Sequence, residues 1–244
     1  AEMRHTTFWR DGRNRKAVFA DNSEGDSEKQ NFWTYHLKGI VGYRINNANM
    51  VSMNVSRRAD APYFQNSFVS PRSRNTVVDN LKTEKTTSID LNYLMNTPYL
   101  RLRATAFYTE IKDKTDLISF YNDHYEAKAY TNMSITGIDQ KHMGFEVGFS
   151  APTGIQGLCV EGAFSYGYYY YSSNPYITMT QDNNDLYLLQ GERVNWKDMK
   201  VEGTPQTALN LGFRYRGPRN IFAGIDFNYF DAMYLSMNPL YRVD

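Results

Sequence analysis

A single cysteine, Cys159, stands in 244 residues. That excludes a disulfide framework and any zinc site built on paired thiolates. The four histidines, His5, His36, His124 and His142, are scattered and form no metal-spaced set. No apolar run reaches the roughly 18 residues that a membrane-spanning helix needs. Runs of five or six like charges are missing as well, so there is no basic arm. With a formal net charge of +1, composition offers no case for nucleic acid as a partner. Ala1-Glu2-Met3-Arg4 leads straight into polar residues, so the leader of an exported protein is expected outside this sequence. No Ser-His-Asp set, Gly-rich phosphate loop or nucleophile motif occurs, and no cofactor is implied.

What is present is tyrosine: 20 residues, against 14 Phe and 3 Trp. Tyr suits places where one end of a side chain is apolar and the other wet. A mean hydropathy of −0.61 does not argue against a membrane barrel. Strands that alternate apolar and polar residues hide their lipid-facing half in the average.

Eight segments alternate with period 2. Tyr35, Leu37, Val41, Tyr43 and Ile45 oppose His36, Lys38 and Arg44; after Asn46-Asn47-Ala48-Asn49, Val51, Met53 and Val55 oppose Ser52, Asn54 and Ser56. Ile89, Leu91 and Tyr93 oppose Ser88, Asp90 and Asn92. Past Met95-Asn96-Thr97-Pro98, Leu100, Leu102, Ala104, Ala106 and Tyr108 oppose Arg101, Arg103 and Thr105. The fifth and sixth segments run through Met143–Phe149 and Leu158–Tyr170. The seventh and eighth run through Leu209–Tyr215 and Ile221–Tyr229. No comparable stretch has a 3.6-residue period, so the expected fold is all-β.

Connections within successive strand pairs are short, whereas 57–84, 110–139 and 172–205 are long and polar. Short turns at one end and extended loops at the other are the signature of an antiparallel transmembrane β-barrel segment of about eight strands. Tyr93, Tyr99 and Tyr215 fall at the short-turn ends; Tyr35, Tyr108, Tyr168, Tyr170 and Tyr229 fall near the long-loop ends, as two interfacial girdles would. A β-sandwich also alternates. It does not explain three long loops at one end, nor small residues such as Gly144, Gly148, Gly167 and Gly212 on the polar face. The register predicts Leu100, Leu102, Phe145, Val147, Leu209, Leu211, Ile225 and Phe227 toward lipid. Asp90, Arg103, Glu146, Asn210 and Asp226 are predicted toward the lumen, where Cys159 also points.

Several segments resemble the C-terminal barrel half of TonB-dependent receptors. They are Asn80-Leu81-Lys82-Thr83-Glu84-Lys85, Ala106-Phe107-Tyr108-Thr109-Glu110-Ile111-Lys112-Asp113, and Tyr130-Thr131-Asn132 followed by Gly144-Phe145-Glu146. Val201-Glu202-Gly203-Thr204-Pro205-Gln206 and Asn228-Tyr229-Phe230-Asp231 complete the series, with Tyr234 and Asn238-Pro239-Leu240 after it. Order and spacing match over roughly 40–240, and SusC-like glycan importers are among the relatives. The resemblance implies a barrel of about 22 strands enclosing a plug, energised import of a nutrient such as a glycan, peptide or siderophore, and the outer membrane of a Gram-negative bacterium. Residues 1–244 are then expected to be a partial barrel domain, with the plug domain and final strands absent. Implied partners are the TonB complex acting through the plug, the nutrient ligand, outer-membrane lipid and a surface lipoprotein. A non-transporting, adhesin-like surface barrel is the alternative.

Five aromatic residues in the long loops, Tyr63, Phe64, Tyr176, Tyr187 and Trp196, are candidate ligand-binding positions, because aromatic faces suit sugar rings and apolar ligand surfaces. Residues 178–198 are expected to be removable as a surface loop. Arg44, Arg101, Arg103 and Arg214 cluster near the short-turn end of the lumen face. They form either a solvated wall or a contact for acidic plug side chains. Asp182-Asn183-Asn184-Asp185 offers oxygen ligands in a row but lacks the bidentate Glu and the Gly of a calcium loop. Arg57–Arg72, mixing basic residues with aromatics, is more simply an ordered loop than a nucleic-acid groove. Glu110, Asp113 and Asp116 sit where a strand gives way to a loop. Purified full-length protein is expected to show no hydrolase turnover on glycans, peptides or esters; turnover abolished by Glu110→Gln or Asp113→Asn would overturn that expectation.

Overall fold

The computed structural model describes residues 1–14, 21–123, 128–184 and 186–243. His124 and Asp185, both singled out above, lie outside the described residues. In chain order the strands are β1 (Glu2–Phe8), β2 (Asp11–Arg13), β3 (Glu24–Asp26), β4 (Gln30–Arg44), β5 (Asn49–Asp60), β6 (Glu84–Asn96) and β7 (Arg101–Asn122). They continue with β8 (Ala129–Pro152), β9 (Leu158–Tyr171), β10 (Tyr176–Gln181), β11 (Tyr187–Arg193), β12 (Thr207–Arg216) and β13 (Phe222–Asp231). Only short 3₁₀ turns interrupt them, and no α-helix occurs among the described residues.

One antiparallel sheet runs in the order β1-β4-β5-β6-β7-β8-β9-β12-β13; β10 pairs with β8 and β11 with β10, while β2 and β3 form a separate ribbon. The eight alternating segments are all present as β4 to β9, β12 and β13. Cross-strand partners share a face, and most partners agree in chemistry, with Met50 and Leu94 the apolar exceptions between Arg44 and Arg103. One row reads Tyr43, Val51, Tyr93, Ala104, Val147, Phe164, Leu209, Tyr229. The adjacent row, on the opposite face, reads Arg44, Met50, Leu94, Arg103, Gly148, Ala163, Asn210, Asn228. Because the side-chain period is 2, a slip of one residue in any strand would break both rows. The predicted faces therefore hold, with one exception. Leu100 lies in the turn before β7, where it exchanges hydrogen bonds with Thr97 (2.9 and 3.0 Å), and not on the strand itself.

The apolar face is open: Val41 is 74% exposed, Ile225 69% and Leu91 53%. In water, so continuous a surface would be an aggregation site; in hydrocarbon it is the required surface.

Two stretches differ from the sequence reading. The segment 110–139, expected as a loop, is mostly strand. β7 and β8 run for 22 and 24 residues, so β8 is about 80 Å long, whereas a span needs about 9–11 residues. The hairpin therefore projects far beyond the wall. Its polar sequence reads as loop because, outside the bilayer, no lipid enforces alternation. Register shifts between Ile111 and Asp116, with Asp113 at φ 59°, kink the ladder where the projection begins. The second difference lies at 172–205, which holds β10 and β11. Below Ile138, β8 pairs with β9; above it, from Thr136 outward, β8 pairs with β10.

The face assignment makes a direct prediction. Val147→Arg or Leu209→Arg should cost ~2–4 kcal/mol of barrel stability, whereas Asn210→Arg should be mild, as read by urea unfolding of the full-length protein in lipid. Equal costs on both faces would refute the assignment.

Candidate functional site

Among the described residues, the hydrophobic core cluster lies beyond the wall, among the outer segments. Met133, Ile135, Ile138, Tyr171, Ile177, Met179, Val194 and Trp196 form one buried cluster. It is built from the projecting part of β8, from the end of β9 at Tyr171, from β10, and from the chain after β11. The stretch after β13 closes it: Val243 bridges Val194, and the Asn195 amide donates to the Arg242 carbonyl at 2.9 Å.

A polar knot ties the 61–83 connection to this cluster. Asp182, at the end of β10, accepts from Ser70 Oγ (2.6 Å), Ser73 Oγ (3.1 Å) and Asn132 Nδ2 (2.6 Å), and pairs with Arg72. The Arg72 guanidinium lies 3.6 Å from the Tyr130 ring centroid. Arg74 is almost fully buried and donates to the Asn184 and Leu186 carbonyls, the latter at 3.2 Å. Buried charge is tolerated only when paired and hydrogen-bonded in this way. The oxygens of Asp182 are thus occupied by protein donors, and Asp182 works as a loop anchor. None of these partners was legible locally, since Ser70 and Asp182 are 112 residues apart in the chain.

The five aromatic candidates do not converge on one pocket. Tyr63 and Phe64 are exposed at the β1 side, where Phe64 packs edge-on against Phe8 (5.7 Å) and Phe68 (5.2 Å). Tyr176 and Tyr187 are exposed at opposite ends of the β10–β11 hairpin, facing Arg193 and Thr180. Arg74 sits 5.4 Å over the Tyr187 ring. Trp196, expected to offer a face to ligand, is instead only 6% exposed and packs against Tyr171 at 4.8 Å. It is a floor for the cluster, because a large ring gains more from burial here than a polar loop can offer it outside. For the same reason 178–198 is not a removable loop: it carries most of β10, all of β11 and Trp196.

The four arginines do share the polar face near the short turns. Arg44 and Arg103 stand in one cross-strand row; Arg101 stands in the next, with Ser150, Glu161 and Asp226. Arg214 already has wall partners, Asp226 at 2.6 Å and Glu161 at 3.8 Å. Arg103 lines a trough of about 410 Å³ with Thr105, Glu146, Asn210 and Asn228. Cys159 lies on this face, half-buried, with its Sγ 3.2 Å from the Ala151 carbonyl. Glu110 and Asp113 are both held by lysines, Glu110 by Lys112 (3.2 Å) and Asp113 by Lys85 (3.1 Å). Among the described residues, no three His, Cys, Asp or Glu side chains gather as a metal site.

A two-faced antiparallel wall with tight turns at one end and a folded cap at the other defines an outer-membrane β-barrel. The model of the TonB dependent receptor-like β-barrel family matches residues 3–242, and the chain belongs to that family, which places it in the outer membrane of Gram-negative bacteria. Among solved structures it is similar to one named "Copper transporter OprC", at 16% identity and a TM-score of 0.52. That similarity covers 84% of this chain and 35% of the other, so the chain spans about a third of the neighbour's length. No curated protein sequence matches it.

Replacing Asp182 should test the knot. Asp182→Ala leaves Ser70, Ser73, Asn132 and Arg72 without their shared acceptor, at a local cost of ~2–4 kcal/mol. Hydrogen exchange across residues 61–83 and 176–193 should rise markedly while the β12–β13 ladder stays protected. Unchanged exchange in the cap would show that the knot is not what holds it.

Proposed function

We propose that this chain is part of the barrel of an energised importer that captures a scarce nutrient, such as a glycan, peptide or siderophore, and is not an enzyme. The observation that carries the reading is the folded outer cap. Surface loops with no task have no need of a buried core and a charged knot, since ordering them costs entropy. Here that cost is met, and the result is a fixed frame presenting Tyr63, Phe64, Tyr176 and Tyr187 outward. A preorganised frame strengthens binding because less order must be imposed on capture. Trp196 contributes by supporting the frame from beneath.

In this reading the arginine row is the contact surface for a plug. Arg44, Arg101 and Arg103 offer bidentate donors to acidic side chains, while Arg214 is already paired within the wall with Asp226 and Glu161. The TonB complex would supply energy through that plug. Copper, named for the structural neighbour, belongs in the panel of cargoes to be tested beside organic nutrients.

Cells expressing the full-length receptor would be assayed for uptake across such a panel, with and without TonB. Tyr176→Ala with Tyr187→Ala should weaken capture about tenfold, the order expected when two exposed aromatic contacts are lost, with surface level unchanged. TonB-independent uptake, or adhesion without uptake, would reject import. Normal capture by the double variant would remove these tyrosines from the ligand site.

A further inference from the structure

The polar face of the wall carries three rings together near its outer end. Phe107, Gly144 and Gly167 are successive cross-strand partners on β7, β8 and β9, and one step further out stand Thr109, His142 and Tyr169. The Tyr169 ring centroid lies 4.9 Å from that of His142 and 6.3 Å from that of Phe107, with interplanar angles of 33° and 36°. The rings are therefore arranged side by side and not as a stack of parallel faces.

The two glycines let them lie down. Neither has the left-handed backbone that would by itself call for glycine, so the reason is space. A Cβ at Gly167 would run into the Tyr169 ring, and one at Gly144 into the Phe107 ring and the Tyr166 carbonyl. With one face on the wall, all three rings are only half-buried. The result is an aromatic shelf turned toward the lumen. It stands about 13 Å beyond Arg103 along β7, clear of the arginine row at the short-turn end.

The surroundings narrow the ligand. Asp90 is the cross-strand partner of Phe107, and Glu146 stands exposed one step inward from Gly144. Both are acceptors for hydroxyl groups and both repel anions. Lys114, the cation on the outer side of His142, already has Asp116 at 3.9 Å. An extended peptide would need backbone partners, yet along this stretch the wall's N–H and C=O groups are taken by the ladders. A pyranose ring suits the shelf better. It offers a plane of C–H groups to the π-faces and hydroxyls around its edge.

We propose that Phe107, His142 and Tyr169 form a lumenal stacking site for a neutral oligosaccharide. That the sugar is cargo rests on the importer reading above; that it binds does not. Rings laid over glycines also brace a sheet, so the test must separate binding from bracing.

Purified full-length receptor would be titrated calorimetrically, without TonB, against maltohexaose, laminarihexaose and mannohexaose, with hexagalacturonate and hexaalanine as controls. At least one neutral hexasaccharide should bind, and both controls should bind at least tenfold more weakly. Phe107→Leu with Tyr169→Leu keeps the glycines covered but removes two flat faces, and should weaken sugar binding about tenfold. Gly167→Ala should do the same by lifting the Tyr169 ring from the wall, whereas Tyr169→Phe should keep binding. Wild-type affinity in the leucine variant, with or without a lowered thermal midpoint, would reduce the rings to bracing and overturn the proposal. Failure of all three neutral sugars to bind, or equal binding of hexaalanine, would also overturn it. Should the leucine variant fail to assemble, Gly167→Ala against Tyr169→Phe decides. Loss of binding here counts against the shelf alone, while TonB-independent uptake counts against import alone.

Discussion

Backbone pairing between neighbouring strands is the interaction on which everything else in this structure depends. Within hydrocarbon no water can satisfy a free N–H or C=O, so every strand must lie against another along its spanning length. The ladders from β4 to β13 meet that demand for the strands between them, while β13 and the Leu37–Arg44 part of β4 are paired along one edge only among the described residues. The same ladders fix register. Register then sets which side chains face out. Tyr43 to Tyr229 form an apolar row only because eight strands are aligned without a slip.

Where the bilayer ends, a different constraint takes over. β7 and β8 continue outward, bend at the irregular stretch between Ile111 and Asp116, and exchange one neighbour for another. Here water is available, and order must come from burial. The cluster around Trp196 and Ile177 supplies it, and Asp182 gathers donors from two separate parts of the chain. The wall and the cap thus rest on opposite physics: one leaves its apolar residues exposed to lipid, the other hides them from water.

The boundary between those two regimes is itself chemically marked. Tyr108 and Tyr168 close the apolar band. The polar face carries its own gradient, with arginines toward the short turns and small residues such as Gly144 and Gly167 further out. Those two glycines face each other across β8 and β9. A Cβ at Gly144 would come within 2.9 Å of the Phe107 ring, so the pair leaves room for side chains to lie flat against the wall.

The alternation of eight segments by itself determined the wall, its two faces and the end at which the short turns lie. Those features depend on a period of two, which lipid on one side and polar lumen on the other impose on each strand separately. Sequence alone did not determine the outer cap. Residues 114–122 and 129–136 lack that one-sided constraint, so their strands look like loop, and Trp196 reads as an exposed platform until its neighbours are known. Asp182, likewise, reads as a polar loop residue because its partners at Ser70, Ser73 and Asn132 are distant in the chain. Such contacts become visible only when tertiary structure brings together segments that no local pattern connects.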